Sequence, residues 1–247
     1  MNKIASIISV LLFFTPAFLQ AQSTTIKVGK DIELIKLTDH AWVHVTYAYI
    51  EPYGRVSGNG LIYACNGKAF IFDTPVNDSL TGILLDYLKD TLHIQVTGVI
   101  SNHWHVDCAG GLGEAHRRGI TSYGNNQTIE ILKEKGLPAP DKGFTDSATL
   151  YLENIPIICR YFGAAHTIDN IVCYIPQEKI LFGGCMIKTL GAQSMGNIAD
   201  ADLKQWPLTV TKVLNAFPDA RFVIPGHGPY GGTELLRHTI ELCEKNQ

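Results

Sequence analysis

Short apolar runs of strand length alternate with turn-forming residues through the first third of the chain. Runs rich in β-branched and aromatic residues predict β-strands at residues 32–37, 42–50, 61–65 and 69–73. The pair Asn66-Gly67, between the last two runs, predicts a tight hairpin turn. Residues 51–60 contain three glycines and a proline, which predicts a loop at a hairpin tip. A lid over a binding site and an ordinary surface turn are both open for this loop.

Helical periodicity begins after residue 73. Leu80, Leu84, Leu85 and Leu88 share one helical face, and Asp78 is the predicted N-cap of that helix. The rest of the pattern predicts, in chain order, strand 96–100, helix 110–118, strand 120–123, helix 127–135, strands 149–152, 156–162, 171–175 and 179–182, helix 202–217, strand 221–224 and helix 233–244. Strands followed by helices thus occur twice. We expect an α/β fold in which two sheets pack together and helices cover their outer faces.

Composition narrows the class of protein. The chain has 247 residues, of which 46% are hydrophobic and 17% charged, so one domain can bury a large core and a second domain is not required. Lys and Arg number 20 against 23 Asp and Glu, and the longest basic cluster is Arg117-Arg118. Because no basic surplus is present, a nucleic-acid partner is not expected.

The N-terminus has the pattern of a secretory signal peptide. Lys3 precedes an apolar run at residues 7–14, and Pro16 and the small residue Ala21 follow it. A membrane anchor would need about 18 apolar residues, and polar positions end this run earlier. We therefore expect a signal peptide at residues 1–21, export to the periplasm, and a mature single domain at residues 22–247 without a membrane anchor. No coiled-coil heptads occur, so a monomer is expected.

The six cysteines do not form an evident disulfide framework, although disulfides persist in exported proteins. Cys65, Cys159 and Cys173 lie in apolar, strand-like runs, where a free thiol behaves as a small hydrophobic group. Cys243 falls on the last predicted helix. Cys108 and Cys185 stand beside candidate metal ligands and remain to be explained.

Candidate metal ligands follow the strand predicted at residues 96–100. His103, His105 and Asp107 occupy alternate positions, so their side chains can converge where the strand ends and the chain turns. Imidazole with a carboxylate suits a borderline divalent ion, and zinc is the first expectation. Two surface histidines placed by chance are the alternative for this motif by itself.

Further candidate ligands occur in the second half. His166, Cys185 and His227 each follow a predicted strand and stand beside glycine. Taken singly, they read as a loop histidine, a buried thiol and a turn residue. Because the same placement recurs, a metal site assembled from strand ends is the better interpretation.

These residues, in this order and spacing, resemble the zinc-dependent metallo-β-lactamases. The resemblance extends over nearly the whole mature chain and includes Asp73-Thr74-Pro75, Gly110-Gly111-Leu112, the run from Cys185 to Lys188, and residues 196–202. It is closest to the subclass with three histidines at one zinc and Asp, Cys and His at the other, in its Bacteroidetes-type branch. The resemblance implies an αββα four-layer sandwich with the site at one edge between the sheets.

The resemblance also implies roles for individual residues. His103, His105 and His166 would hold one zinc ion and leave a position open, while Asp107, Cys185 and His227 would hold a second, giving two Zn2+ per chain. A hydroxide shared by the ions would attack the β-lactam amide. The catalytic residues implied are Asp107, Lys188 and Asn197: Lys188 would meet the substrate carboxylate, and Asn197 would stabilise the oxyanion. A solvated lysine is the alternative for Lys188.

Two other functions stay open. Thioester-cleaving relatives of the glyoxalase type carry histidine directly after the motif's aspartate and an aspartate in place of Cys185. This chain has Cys108 and Cys185 there, which favours a small-molecule β-lactam substrate. A hydrolase of the same fold acting on thioesters or lactones is one alternative, and a non-catalytic periplasmic zinc-binding protein is the other.

Overall fold

The computed structural model describes residues 24–245, so the predicted signal peptide lies outside the described residues. Within residues 24–245 the chain forms thirteen strands and six helices. The strands form one eight-stranded and one five-stranded sheet.

The larger sheet contains the first eight strands in sequential order. They are β1 (Thr25–Val28), β2 (Ile32–Lys36), β3 (Ala41–Ile50), β4 (Gly54–Cys65), β5 (Lys68–Phe72), β6 (Gln95–Ile100), β7 (Thr121–Asn125) and β8 (Lys142–Phe144). Strands β1 to β5 pair antiparallel, whereas β5 to β8 pair parallel. Helices form the parallel connections, because parallel neighbours need a crossover.

The smaller sheet has the order β13-β12-β11-β10-β9. Its strands are β9 (Ser147–Leu152), β10 (Ile155–Tyr161), β11 (Ile171–Ile175), β12 (Ile180–Gly184) and β13 (Phe222–Pro225). Pairing is antiparallel except between β12 and β13, which are joined by a helical crossover.

Helices cover the outer face of each sheet. They are α1 (Asp78–Asp90), α2 (Val106–Ala109), α3 (Leu112–Arg117), α4 (Asn126–Glu134), α5 (Trp206–Ala216) and α6 (Glu234–Lys245). Apolar residues of α1, α3 and α4 share a buried cluster with the larger sheet, and those of α5 and α6 share one with the smaller sheet. The predicted αββα four-layer sandwich is confirmed.

A third buried cluster lies between the two sheets, as β4 illustrates. Leu61 and Tyr63 contact this central cluster, whereas Ile62 and Ala64 point to the helices outside. Phe72 of the larger sheet meets Phe182 of the smaller one with ring centroids 5.9 Å apart. Both faces of the strand are buried, so the strand is apolar at successive positions rather than alternate ones.

The Asn66-Gly67 turn is confirmed. Both residues have positive φ, 51° and 75°, as a tight hairpin connection between β4 and β5 requires.

Several predicted boundaries are wrong. The N-cap of α1 is Asn77, whose side chain accepts a hydrogen bond from the Leu80 amide, and not Asp78. Strand β4 begins at Gly54, so most of the predicted loop at residues 51–60 pairs with β3. The stretch predicted as helix 110–118 contains only α3, which begins at Leu112 and ends at Arg117. Helix α5 begins at Trp206 instead of residue 202. The sequence pattern did not predict β1 and β8, which are short strands at the two edges of the larger sheet.

Among residues 24–245, no helix combines the length and the hydropathy that crossing a membrane requires.

Candidate metal centre

The predicted ligands converge at one edge of the sandwich, where several strands end. Strand β6 ends at Ile100, β12 at Gly184 and β13 at Pro225. Two backbone hydrogen bonds join the sheets at this edge: the Ile171 amide donates to the Asn102 carbonyl over 2.9 Å, and the Asn59 amide donates to the Gly226 carbonyl over 2.8 Å. The loops that follow these strands are therefore fixed relative to each other.

The first group of candidate ligands is His103, His105 and His166. One ring nitrogen of each lies within 4.8 Å of the other two. His105 Nδ1 and His166 Nε2 are 3.1 Å apart. His103 follows β6, whereas His166 lies on the loop between β10 and β11.

The second group, Asp107, Cys185 and His227, forms a nearly equilateral triangle. Cys185 Sγ lies 3.4 Å from both Asp107 Oδ2 and His227 Nε2, and these two atoms are themselves 3.4 Å apart. Donor atoms around a tetrahedral zinc ion, with Zn–S near 2.3 Å and Zn–N or Zn–O near 2.1 Å, lie about 3.3–3.6 Å from each other. The donor set and its spacing both fit zinc.

Cys108 also lies close to these donors. A second combination of donor atoms within 4.8 Å of one another comprises His103, Asp107, Cys108 and Cys185. Burial raises the pKa of the Cys108 thiol well above its usual value, so this thiol stays protonated at neutral pH. A hydrogen bond with Cys108 lowers the pKa of Cys185 to about 6. Since the thiolate is the form that binds metal, Cys185 is the better donor of the two.

Most of the remaining donors have the protonation state that a metal ion needs. Burial lowers the pKa of His103 to about 3 and lowers that of His166 as well, so both imidazoles are neutral. Burial opposes ionisation of Asp107, but the hydrogen bond with His227 and the nearby imidazoles hold its pKa below the usual range. The Cys185 thiolate raises the pKa of His227 to about 11. Metal binding must therefore displace a proton from His227.

Two ligand histidines are oriented by the nitrogen that faces away from the site. His105 Nε2 lies 2.9 Å from Asp200 Oδ2, and His227 Nδ1 lies 2.5 Å from the Ser57 carbonyl oxygen. Such contacts fix the tautomer and the ring orientation of a metal-binding histidine. Asp200 was missed as an individual residue, although it lies inside the 196–202 segment that carried the family resemblance.

Asn102 is a second residue that sequence reasoning missed. It is buried, its amide donates to Asp73 Oδ1 over 2.6 Å, and its side-chain nitrogen donates to the Ile171 carbonyl. Its side-chain oxygen lies 3.2 Å from His103 Nδ1. Gly184 permits this packing, because a Cβ at Gly184 would lie 2.4 Å from the same oxygen. Asn102 thus connects both sheets to a candidate ligand.

The predicted substrate-contacting residues lie on neighbouring segments. The Lys188 ammonium is 5.1 Å from the centroid of the Trp206 ring, and burial lowers its pKa. A Cβ built on Gly196 would lie 3.8 Å from the same ammonium nitrogen, so Lys188 lies beside the residue that precedes Asn197. Asn197 is exposed, and its side-chain oxygen accepts a hydrogen bond from the Ala199 amide over 3.2 Å. The side-chain amide nitrogen of Asn197 can still donate to a substrate.

The hairpin between β3 and β4 borders the metal centre on one side. A Cβ at Gly58 would lie 3.9 Å from the Cβ of Asp107, so the middle of β4 packs beside the ligands. The tip at residues 51–53 carries Tyr53, which is 60% exposed. The lid role proposed for this tip stays a prediction.

Adjacent metal-binding groups at the edge of an αββα sandwich are the arrangement of a metal-dependent hydrolase. No family model matches the chain. A metallo-β-lactamase type 2 of Bacteroides fragilis is 49% identical over 230 residues, covering 93% of this chain and 92% of the relative. A metallo-β-lactamase type 2 of Bacillus cereus is 33% identical over 213 residues, covering 86% and 83%.

A solved structure of the same family is also similar to this chain. A metallo-β-lactamase from Pontibacter korlensis superposes with a TM-score of 0.83 at 36% identity, covering 87% of this chain and 100% of that one. The chain belongs to the metallo-β-lactamase family.

Proposed function

We propose that this protein is a zinc-dependent β-lactamase that hydrolyses the amide bond of the β-lactam ring. The observation that carries the proposal is the pair of adjacent donor sets, one with three imidazoles and one with carboxylate, thiolate and imidazole, at zinc-like separations. The relatives' names support the same substrate class.

The donors support two zinc ions per chain. His103, His105 and His166 would hold one ion, and three imidazole ligands leave a coordination position free for catalysis. Asp107, Cys185 and His227 would hold the second. When bound, zinc lowers the pKa of coordinated water and polarises a carbonyl oxygen.

The chain's own residues then act on the substrate. Asp107 is ionised at neutral pH, so its carboxylate can accept a hydrogen bond from the attacking water and orient it. The Asn197 side-chain nitrogen donates a hydrogen bond to the carbonyl oxygen as negative charge develops on it. Lys188 binds the carboxylate of the β-lactam, and the Trp206 ring below it fixes the position of the ammonium.

Zinc analysis with a hydrolysis assay tests the proposal. The purified mature protein should contain close to two zinc ions per chain and should hydrolyse a chromogenic β-lactam. Dialysis against chelator should abolish hydrolysis, and added zinc should restore it, because the donor sets supply no nucleophile by themselves. Activity on thioesters or lactones alone would favour the alternative hydrolase, and zinc binding without any hydrolysis would favour a zinc-binding protein. A fully active metal-free preparation would contradict all three.

Processing and location belong to the same proposal. The apolar N-terminal run supports a signal peptide at residues 1–21 and a mature, monomeric domain at residues 22–247 in the periplasm. N-terminal sequencing of the protein recovered from the periplasmic fraction tests the cleavage site. A first residue near position 22 is expected.

Replacement of Lys188 by alanine should raise KM for β-lactams about tenfold and change kcat less. The ammonium supplies a charge-assisted contact that the ground state and the transition state share, and such a contact lowers KM rather than raising kcat. Steady-state kinetics on one carboxylate-bearing β-lactam gives both constants. Lys188→Arg keeps the charge and should recover most of the affinity. Unchanged KM in Lys188→Ala, with zinc content intact, would remove Lys188 from substrate binding.

A further inference from the structure

Two cysteines outside the metal centre face each other across neighbouring strands. Cys159 of β10 and Cys173 of β11 are direct partners in the antiparallel register. Their sulfur atoms are 3.5 Å apart. Each carries a free thiol in this structure, and each is essentially inaccessible to solvent.

We propose that Cys159 and Cys173 form a cross-strand disulfide when the chain folds under oxidising conditions. Directly opposed residues of an antiparallel pair have Cβ atoms about 4.5–5.5 Å apart, whereas a disulfide spans about 3.5–4.5 Å, so the two Cβ atoms must move slightly closer together. A disulfide has an S–S distance near 2.0 Å, so the sulfurs must approach by about 1.5 Å, which side-chain rotation and a small strand adjustment can supply.

The chemistry requires a disulfide oxidant such as oxidised glutathione. One thiolate attacks the oxidant to form a mixed disulfide and expels one thiol, and the second cysteine then attacks the mixed disulfide and expels the other. The two cysteines together lose two electrons and two protons, and the oxidant gains them as two thiols. Burial raises the pKa of Cys173 well above its usual value, so the thiolate is scarce in the folded chain. Oxidation therefore occurs during folding, before the sheet closes over the pair.

The disulfide would close the loop that carries a candidate ligand. Residues 162–170 connect β10 to β11 and include His166, and the Ile171 amide at the end of this loop binds the Asn102 carbonyl. A covalent link across the base of this loop lowers the conformational entropy of the unfolded chain. We expect the zinc-free protein to gain thermal stability from the link.

Peptide mapping decides whether the bond forms. The full mature chain is refolded with zinc in a mixture of oxidised and reduced glutathione, quenched in acid, alkylated in denaturant and digested with trypsin. Cleavage after Lys142, Arg160 and Lys179 places Cys159 in peptide 143–160 and Cys173 in peptide 161–179. A linked pair of these peptides, separated by reductant, supports the proposal. Alkylation of both cysteines, or linkage of either to another cysteine, overturns it.

Two variants serve as controls. Cys173→Val suits a buried strand position and should leave Cys159 fully alkylated with no linked peptide. Cys65 lies on the larger sheet, away from this pair, so Cys65→Val should leave the linked peptides unchanged. The thermal midpoint of the zinc-free wild type should be several degrees higher when oxidised than when reduced, and Cys173→Val should show no such difference. Linked peptides with equal midpoints would overturn the proposed stabilisation of the loop.

Discussion

Replacement of Cys185 by serine is expected to lower the zinc content from two ions towards one per chain and to reduce kcat/KM on the order of 100-fold or more. Loss of groups that merely orient a ligand costs about 10- to 100-fold in metal affinity or activity, so loss of a ligand should cost at least as much. Cys185 is the thiol with a pKa near 6, which makes it the anionic sulfur of the site. A serine hydroxyl is not ionised at neutral pH and binds zinc poorly.

The matched control is Cys108→Ser. Cys108 lies among the same donors, with its sulfur 3.2 Å from His103 Nδ1, but its thiol is protonated at neutral pH. This variant should keep two zinc ions per chain, measured by elemental analysis of protein dialysed at a fixed free zinc concentration. If Cys108→Ser loses an ion and Cys185→Ser retains both, the assignment of the two thiols is wrong.

The layer architecture could be predicted from the sequence because apolar strand-length runs precede helical periodicity in both halves. The candidate ligands could be predicted for a related reason. Each candidate ligand lies in the segment that follows a predicted strand, and the ends of strands fall at the edges of sheets. Chain order and residue type were therefore enough to select His103, Cys185 and His227, which the structure brings to one edge.

The strand boundaries could not be predicted in full, because they depend on pairing with a strand elsewhere in the chain. Residues 54–60 are rich in glycine and read as a loop, yet they extend β4 because β3 supplies a continuous set of hydrogen bonds from Ile50↔Gly54 onward. Tertiary pairing overrides the weak strand propensity of glycine.

The contacts that orient the candidate ligands could not be predicted, because they join segments that are far apart in the sequence. His105 and Asp200 are 95 positions apart in the chain. Asn102 contacts Asp73 and Ile171, which are 29 and 69 positions away in the chain. Nothing in the residues around Asp200 or Asn102 indicates such partners, since asparagine and aspartate are common in turns.

His44 lies in the middle of β3 and is not one of the candidate ligands. Its buried ring occupies the space that Gly60 of β4 leaves open, and its Nε2 lies 3.1 Å from the Asp73 carbonyl oxygen. Burial lowers the pKa of His44 from its usual 6.5 to about 4, despite backbone hydrogen bonds that favour the charged form. The folded chain thus holds this imidazole neutral.

His44 should make the zinc-free protein less stable in acid. Between pH 6.5 and 4 the unfolded chain binds a proton at His44 that the folded chain does not, so stability is full above pH 6.5 and falls as the pH drops through this window. From pH 7 to pH 5 the loss from this residue amounts to about 2 kcal/mol. Urea unfolding in chelator, at both pH values, should show that His44→Gln loses less stability than wild type by that amount, because His103 and His166 titrate in both proteins. Equal pH dependence in the two proteins would show that His44 is protonated in the folded chain or accessible to water.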